Sequence, residues 1–184
     1  YDECHGVELE LHDPRRFNTL SGALGDDMQR AVEHVYTRRA AIRALTLLAA
    51  GTTFCAGGNP FDSSGSTSLA QSASSVLVMA QGFVGLRSLR APIVSALHGS
   101  MVGGAAAIFL HTDLRVAEGE ATFQHGNLSR GVCPIAGYSR MLRAAIGSSA
   151  ACRFYMTDQR LTAASAVALG VVQVVQDGVG EAKD

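Results

Sequence analysis

The chain has 184 residues, 47% of them hydrophobic and 17% charged, with a formal net charge of −1. This length and composition suit one soluble globular domain with its own core and exclude a disordered segment. Lys and Arg number 15 against 16 Asp and Glu, Lys183 being the only lysine, so no basic face for nucleic acid is expected, and no apolar run reaches the roughly 18 residues of a membrane span.

Residues 6–12 (GVELELH) alternate Val7, Leu9 and Leu11 with Glu8 and Glu10, the pattern of a half-buried strand. Asp13-Pro14 breaks it, and 15–20 form a loop carrying Arg15 and Arg16. Residues 21–39 predict a helix: Ser21 is a good N-cap, and Leu24, Met28, Ala31, Val32 and Val35 share a face. Residues 42–50 follow as a buried strand, apolar except Arg43 and Thr46, as parallel strands tend to be. The β-α-β rhythm predicts a right-handed crossover. The strand ends in a glycine turn, GTTFCAGGNP, at 51–60. Residues 61–68 (FDSSGSTS) read as a Ser- and Gly-rich loop. Residues 69–89 read as a helix with Ala73, Val76, Leu77, Ala80, Phe83 and Val84 in step, and Arg87 and Arg90 at its end, where the dipole favours cations.

The segment 91–133 organises the rest. A short apolar strand at 93–97 is closed by His98-Gly99. Gly103-Gly104 leads into a small-residue helix at 105–110, and a further strand occupies 114–117. Strand, glycine turn and helix together bring bare backbone N–H groups to the mouth of a site. Two such turns, at 51–60 and 98–104, can each lend one N–H to an oxyanion hole, whose natural ligand is the enolate or tetrahedral oxyanion of a thioester carbonyl. Ordinary chain reversal is the competing reading of both.

Beyond this segment, residues 142–145 and 150–156 read as helical turns separated by Gly147-Ser148-Ser149. Thr162 caps a helix at 163–169 that Gly170 ends, with a strand at 171–175 and a polar tail at 177–184. Cys4, Cys55, Cys133 and Cys152 form no CxxC pair, which points to reduced thiols and a cytoplasmic setting. Cys133 is expected in the core, because no basic partner is evident. His98 reads as structural. His111 and Asp113 lack a third ligand, so no metal site is expected.

FCAGGN followed by APIVSALHGSMVGGAAAIFLHTDLRVAEGEATF resembles the two signature blocks of the crotonase (enoyl-CoA hydratase/isomerase) superfamily. That family shows an AG-x-D turn, then P-[VI]-[IV]-A-x-[NH]-G-x-x-x-GG-G, then CD-x-R-[IV]-A. The likeness runs from about residue 12 to residue 175. Asn59 stands where the first block has Asp, and Ala105 where the second has its last Gly. The resemblance implies an α/β crotonase fold of repeated ββα turns, one core domain over 1–184. The helical C-terminal tail that builds a trimer in such chains is missing, so a homotrimer is expected only of a chain that carries it.

The resemblance also implies that the N–H groups of Gly58 and Gly104 hold a thioester carbonyl. Substrate contacts fall by position on Ala56, on Asp62 of a lid at 61–68, on Tyr138, and on Arg15 beside the nucleotide of coenzyme A. For Arg15 a plain solvated cation is the equal reading, and for Tyr138 simple packing is. The partner implied is an acyl-CoA or an acyl-carrier protein, and no cofactor is implied beyond the coenzyme A or phosphopantetheine that the substrate brings. Hydratases of the family use two glutamates, and those positions fall here on Ala107 and Asn127, neither of which can shuttle a proton. An imidazole ordinarily suits proton transfer near neutral pH and Asn127 can orient a water or a carboxylate, so His125 and Asn127 are candidate catalytic residues, with a structural histidine as the alternative reading of His125. This pattern suits decarboxylation or dehydration of a carboxylated thioester, as in the decarboxylases and polyketide β-branching domains of the family. The alternative is a degenerate domain that binds acyl groups or serves as a scaffold.

Overall fold

The computed structural model describes residues 5–58 and 81–177. Its first strand, β1 (His5–Leu11), pairs in parallel with β2 (Ile42–Ala49), with Val7 opposite Leu45 and Leu9 opposite Leu47. Between them runs α1 (Gly22–Thr37), capped by the Ser21 hydroxyl, which accepts the Leu24 N–H. Its buried residues are Gly25, Met28, Val32 and Val35, the 3.6-residue stripe expected of a helix laid on a sheet. Each of the three apolar side chains contributes about 1.5–3 kcal/mol by leaving water.

Residues 81–84 are helical and pass into a 3-10 turn, Gly85–Ser88. Gly82 approaches α1 so closely that a Cβ there would lie 2.5 Å from the Gly25 carbonyl oxygen. The rest of the expected helix at 69–89 lies outside the described residues.

From here the chain contributes strands in pairs. β3 (Ile93–Leu97) joins the first sheet, and β4 (Ser100–Val102) starts a second. After α2 (Gly104–Phe109), β5 (Leu114–Ala117) returns to the first sheet and β6 (Thr122–Gln124) to the second. α3 (Tyr138–Ile146) and α4 (Ser148–Thr157) follow, then β7 (Arg160–Thr162), α5 (Ala163–Leu169) and β8 (Val174–Val175). The first sheet is parallel, in the order β1-β2-β3-β5-β8. The second has the order β4-β6-β7, with β4 and β6 parallel and β7 antiparallel to β6. This is the stacked ββα arrangement expected from the sequence.

α2 is buried all round: Ala105, Ala106, Ala107, Ile108 and Phe109 are inaccessible. Its small side chains let it sit between the sheets and α3, where Phe109 meets Phe123 edge to face. Arg115 is also buried. Its Nε donates to the Val171 carbonyl at 2.6 Å and its Nη1 to the Thr112 carbonyl at 3.0 Å, so it ties β5 to the segment after α5.

Three expectations are corrected, and two strands are new. Strands β4 and β7 had no sequence signal. The helices at 142–145 and 150–156 are longer and are separated by Gly147 alone. The strand expected at 171–175 is only Val174–Val175, because the N–H groups of Val171 and Val172 close the end of α5 on the Ala166 carbonyl. Cys133 is exposed rather than in the core.

Candidate functional site

The turn that follows β2 and the turn that follows β4 meet. Gly57 has φ +90°, and a Cβ on it would overlap the Val102 carbonyl oxygen and stand 3.4 Å from the Gly104 nitrogen. Only glycine lets the two backbones approach this closely. The Gly58 nitrogen in turn lies 3.5 Å from where a Cβ on Gly104 would project. Two amides 46 positions apart in sequence therefore share one small region. Among the described residues neither N–H has an acceptor. Gly58 is exposed and Gly104 half-buried.

Each turn is clamped from behind. Leu20 donates its N–H to the Gly57 carbonyl at 2.9 Å, and Ala56 donates its own to the Phe17 carbonyl at 3.0 Å. Asn18, fully buried, donates through Nδ2 to the carbonyls of Ala50 and Thr53, both at 2.9 Å, and accepts the Asp13 N–H at 2.7 Å. His98 bonds the Gly51 carbonyl at 2.9 Å, the structural role expected of it. The Cys55 thiol is sealed beneath this turn, and burial pushes its pKa up to about 12, so it is no nucleophile. The second turn is fixed by the Gly103 N–H, which donates to the Gln124 carbonyl at 3.1 Å.

A third turn, 124–127, leans on the second. Gly126 has φ +71°, and a Cβ there would press on Val102 Cγ1 at 2.5 Å. Next to it Asn127 is buried, and its Oδ1 lies 3.6 Å from the Cβ position of Gly103 with no hydrogen-bond partner. It is a polar side chain that the fold brings to the second glycine turn. His125 is 2% exposed and sits in an aromatic cage. Its ring stacks on Tyr138 at 4.5 Å and meets Tyr155 and Phe154 edge-on at 4.8 and 5.7 Å. Its Nδ1 has no partner. Burial holds its pKa below the ordinary imidazole value, against the pull of the Asp158 carboxylate.

His111 behaves alike: Nε2 bonds the Ala136 carbonyl at 2.8 Å, Nδ1 is unpaired, and burial lowers its pKa. Both imidazoles are therefore held neutral, so the unfolded chain binds more protons than the folded one below the unfolded value of about 6.5. Stability should be fully present above that pH and fall as pH drops through the two lowered values. Urea midpoints between pH 7.5 and pH 5 should show the loss, and a flat profile would contradict it.

The other candidates scatter. Tyr138 is buried against His125, with an unpaired hydroxyl and a pKa raised by burial, so packing accounts for most of its surface. Ala56 is half-buried within the first turn, and Arg15 is exposed on the 3-10 turn Pro14–Arg16. Asp62 and Asn59 lie outside the described residues. Ala107 is buried inside α2, where it offers no proton-transfer group. Asp113 accepts the Ile93 N–H and pairs with Arg87 at 3.1 Å, and no metal-binding cluster occurs among the described residues. Asn18 and Asp158, the two polar residues that brace the site, carried no sequence motif. Asn18 is left-handed at φ +50° and Asp158 at +48°, and the one readable hint was an Asn or Asp at a chain turn.

Solved structures similar to this chain include an enoyl-CoA hydratase from Bacillus anthracis, 26% identical with a TM-score of 0.87, the match covering 96% of this chain and 68% of that one. An enoyl-CoA hydratase from Mycobacterium smegmatis is 25% identical with a TM-score of 0.84, over 93% of this chain and 66% of that one. Among curated relatives, "Probable enoyl-CoA hydratase echA12" of Mycobacterium leprae is 25% identical over 89% of this chain. "Putative enoyl-CoA hydratase/isomerase YngF" of Bacillus subtilis is 28% identical over 93%. The chain spans 58% and 65% of the length of these two relatives. A family model described as enoyl-CoA hydratase/isomerase matches residues 6–179, nearly the whole sequence, and the chain belongs to that family.

Proposed function

We propose that the protein binds the carbonyl of an acyl thioester between the N–H groups of Gly58 and Gly104 and stabilises the enolate formed there. The observation that supports this reading is the convergence of the two turns on amides that have no acceptor among the described residues. Two donors aimed at a developing oxyanion are worth several kcal/mol of barrier, about 2.7–4 kcal/mol each where one has been removed in other enzymes.

The reaction we favour is decarboxylation of a carboxylated acyl-CoA or acyl-carrier-protein thioester, with dehydration as its near relative. Ala107 and Asn127 occupy the two positions where a hydratase of this family has glutamates, and neither starts a reaction by taking a proton. Decarboxylation needs no such base. In a malonyl-type thioester the bond from the α-carbon to the carboxylate breaks, and in a glutaconyl-type thioester the bond from the γ-carbon; CO₂ leaves, and the electron pair becomes the enolate or dienolate held by the two amides. A solvent proton then returns to the carbon, with Asn127 orienting the donor water and His125 as its polar partner. A role in polyketide β-branching is consistent with this chemistry. Ala56, Tyr138, Asp62 and Arg15 are the proposed substrate contacts, and a homotrimer is proposed only for a chain with the helical tail.

The same Ala107 also favours a second reading, a domain that binds acyl groups without turnover. Incubation with methylmalonyl-, 3-methylglutaconyl- and crotonyl-CoA separates the two. CO₂ released from a carboxylated thioester, with crotonyl-CoA left unhydrated, is the expected result. Hydration of crotonyl-CoA would overturn the preference for decarboxylation, and binding of all three without turnover would establish the second reading.

A further inference from the structure

The turn 124–127 is held by a residue outside any motif of the family resemblance. Asp158 ends α4 in the left-handed region, at φ +48°, where glycine is the usual occupant. A side chain there needs a reason, and its contacts supply one. Its carboxylate Oδ1 accepts the Gly126 N–H at 2.5 Å, and its backbone carbonyl accepts Gln124 Nε2 at 3.1 Å. The two bonds cross from the end of α4 to the last residue of β6 and to the loop that leaves it. A carboxylate taking a backbone N–H is a charge-assisted bond, short and roughly twice as strong as a neutral one.

The amide it captures lies between the two polar candidates of the site. Gly126 follows His125 and precedes Asn127: its N–H lies in the peptide plane shared with His125, and its carbonyl in the plane shared with Asn127. The contact reaches further, because Gly126 abuts Val102 and would place a Cβ 3.4 Å from the Gly103 nitrogen. On the other flank Arg130 Nη1 donates to the Gly126 carbonyl at 3.0 Å. Gly126 is therefore gripped on both its amide and its carbonyl while pressed against the turn that offers the Gly104 N–H. The residues that flank it in sequence carry the unpaired atoms His125 Nδ1 and Asn127 Oδ1.

We propose that Asp158 is a positioning residue of the site: by accepting the Gly126 N–H it fixes the 124–127 turn, sets the aim of Asn127 beside Gly103, and holds His125 in its aromatic cage. It acts through Gly126 and does not itself touch the substrate. The inference rests on the thioester reading only for what the site binds; the mechanical coupling stands without it.

Two substitutions test it. Asp158→Gly removes the acceptor but suits φ +48°, so the helix end keeps its shape. Asp158→Asn removes the charge but leaves an amide oxygen able to accept. Without ligand, ¹⁵N and ¹H NMR of the protein should show a downfield, slowly exchanging Gly126 amide. In Asp158→Gly that signature should vanish, and the His125 ring and Asn127 side-chain resonances should move. Affinity for acetyl-CoA, used as the thioester probe, should weaken about tenfold, the loss of one hydrogen bond's worth of order. Asp158→Asn should restore all three.

Unchanged His125 and Asn127 signals in a folded Asp158→Gly protein would overturn the proposal. So would an Asp158→Asn protein as perturbed as the glycine variant. Failure of the unsubstituted protein to bind acetyl-CoA would count against the thioester reading alone, because the Gly126 and His125 signals are read without ligand.

Discussion

Gly57→Ala is expected to lower thioester turnover by on the order of 10²-fold or more, the effect of losing one oxyanion donor. The new methyl group would fall on the Val102 carbonyl oxygen, an atom of the strand end that leads directly into Gly103 and Gly104. Backbone atoms cannot swing aside as a flexible side chain can. The residue would also have to hold φ +90°, which an L side chain rarely adopts. Both strains separate the turns, and the Gly58 and Gly104 amides move apart with them. Gly58→Ala is the matching control. No described atom lies within 4 Å of a Cβ at that position, and the N–H is kept. The comparison is kcat/KM on the thioester that turns over, with thermal midpoints to confirm that both proteins fold. A Gly57→Ala protein as active as Gly58→Ala would remove the paired amides from the chemistry.

The second large effect is on stability. Asn18→Ala deletes two Nδ2 donations and one Oδ1 acceptance, and it leaves the Ala50 and Thr53 carbonyls and the Asp13 N–H without that partner. At about 1 kcal/mol per hydrogen bond and more for partners left buried, the loss should be roughly 3–5 kcal/mol. For a chain of this size that lowers the melting midpoint by roughly 10 °C. Asn18→Gly separates the causes: it relieves φ +50° but restores no hydrogen bond, so it should recover only the backbone part, about 1 kcal/mol. Both substitutions free the 13–20 loop from the turn that carries Gly58, so thioester affinity should fall alongside stability. An Asn18→Ala protein that melts with the parent would show that the loop is held by its apolar contacts instead.

The two glycine turns were legible because their residue type is dictated by backbone geometry: Gly57 and Gly103 both need positive φ, which other residues supply only at a cost. The capped helices were legible for a similar reason, since Ser21 and Thr162 hold the free N–H groups their positions predict. What stayed hidden was of two kinds. β4 and β7 have three residues each, too few for alternation to show, and they exist only because β6 lies between them. Asn18 and Asp158 act across 32 or more positions, as single side chains that no local pattern marks. His125 was found by position, but its aromatic cage is assembled from α3 and α4 and has no trace in the segment around it.

The placement of β6 between a strand some twenty residues earlier and one nearly forty later bears on how the molecule is made. A nascent polypeptide has β1, β2, β3 and β5 in hand once Ala117 has emerged, and that part of the parallel sheet can close. β7 is still unsynthesised. At about 5–20 residues per second the ribosome takes several more seconds to deliver Thr162. During that interval β6 offers an open edge on one side, an invitation to pair with the wrong chain. Crowded polysomes are where such mispairing should first be seen.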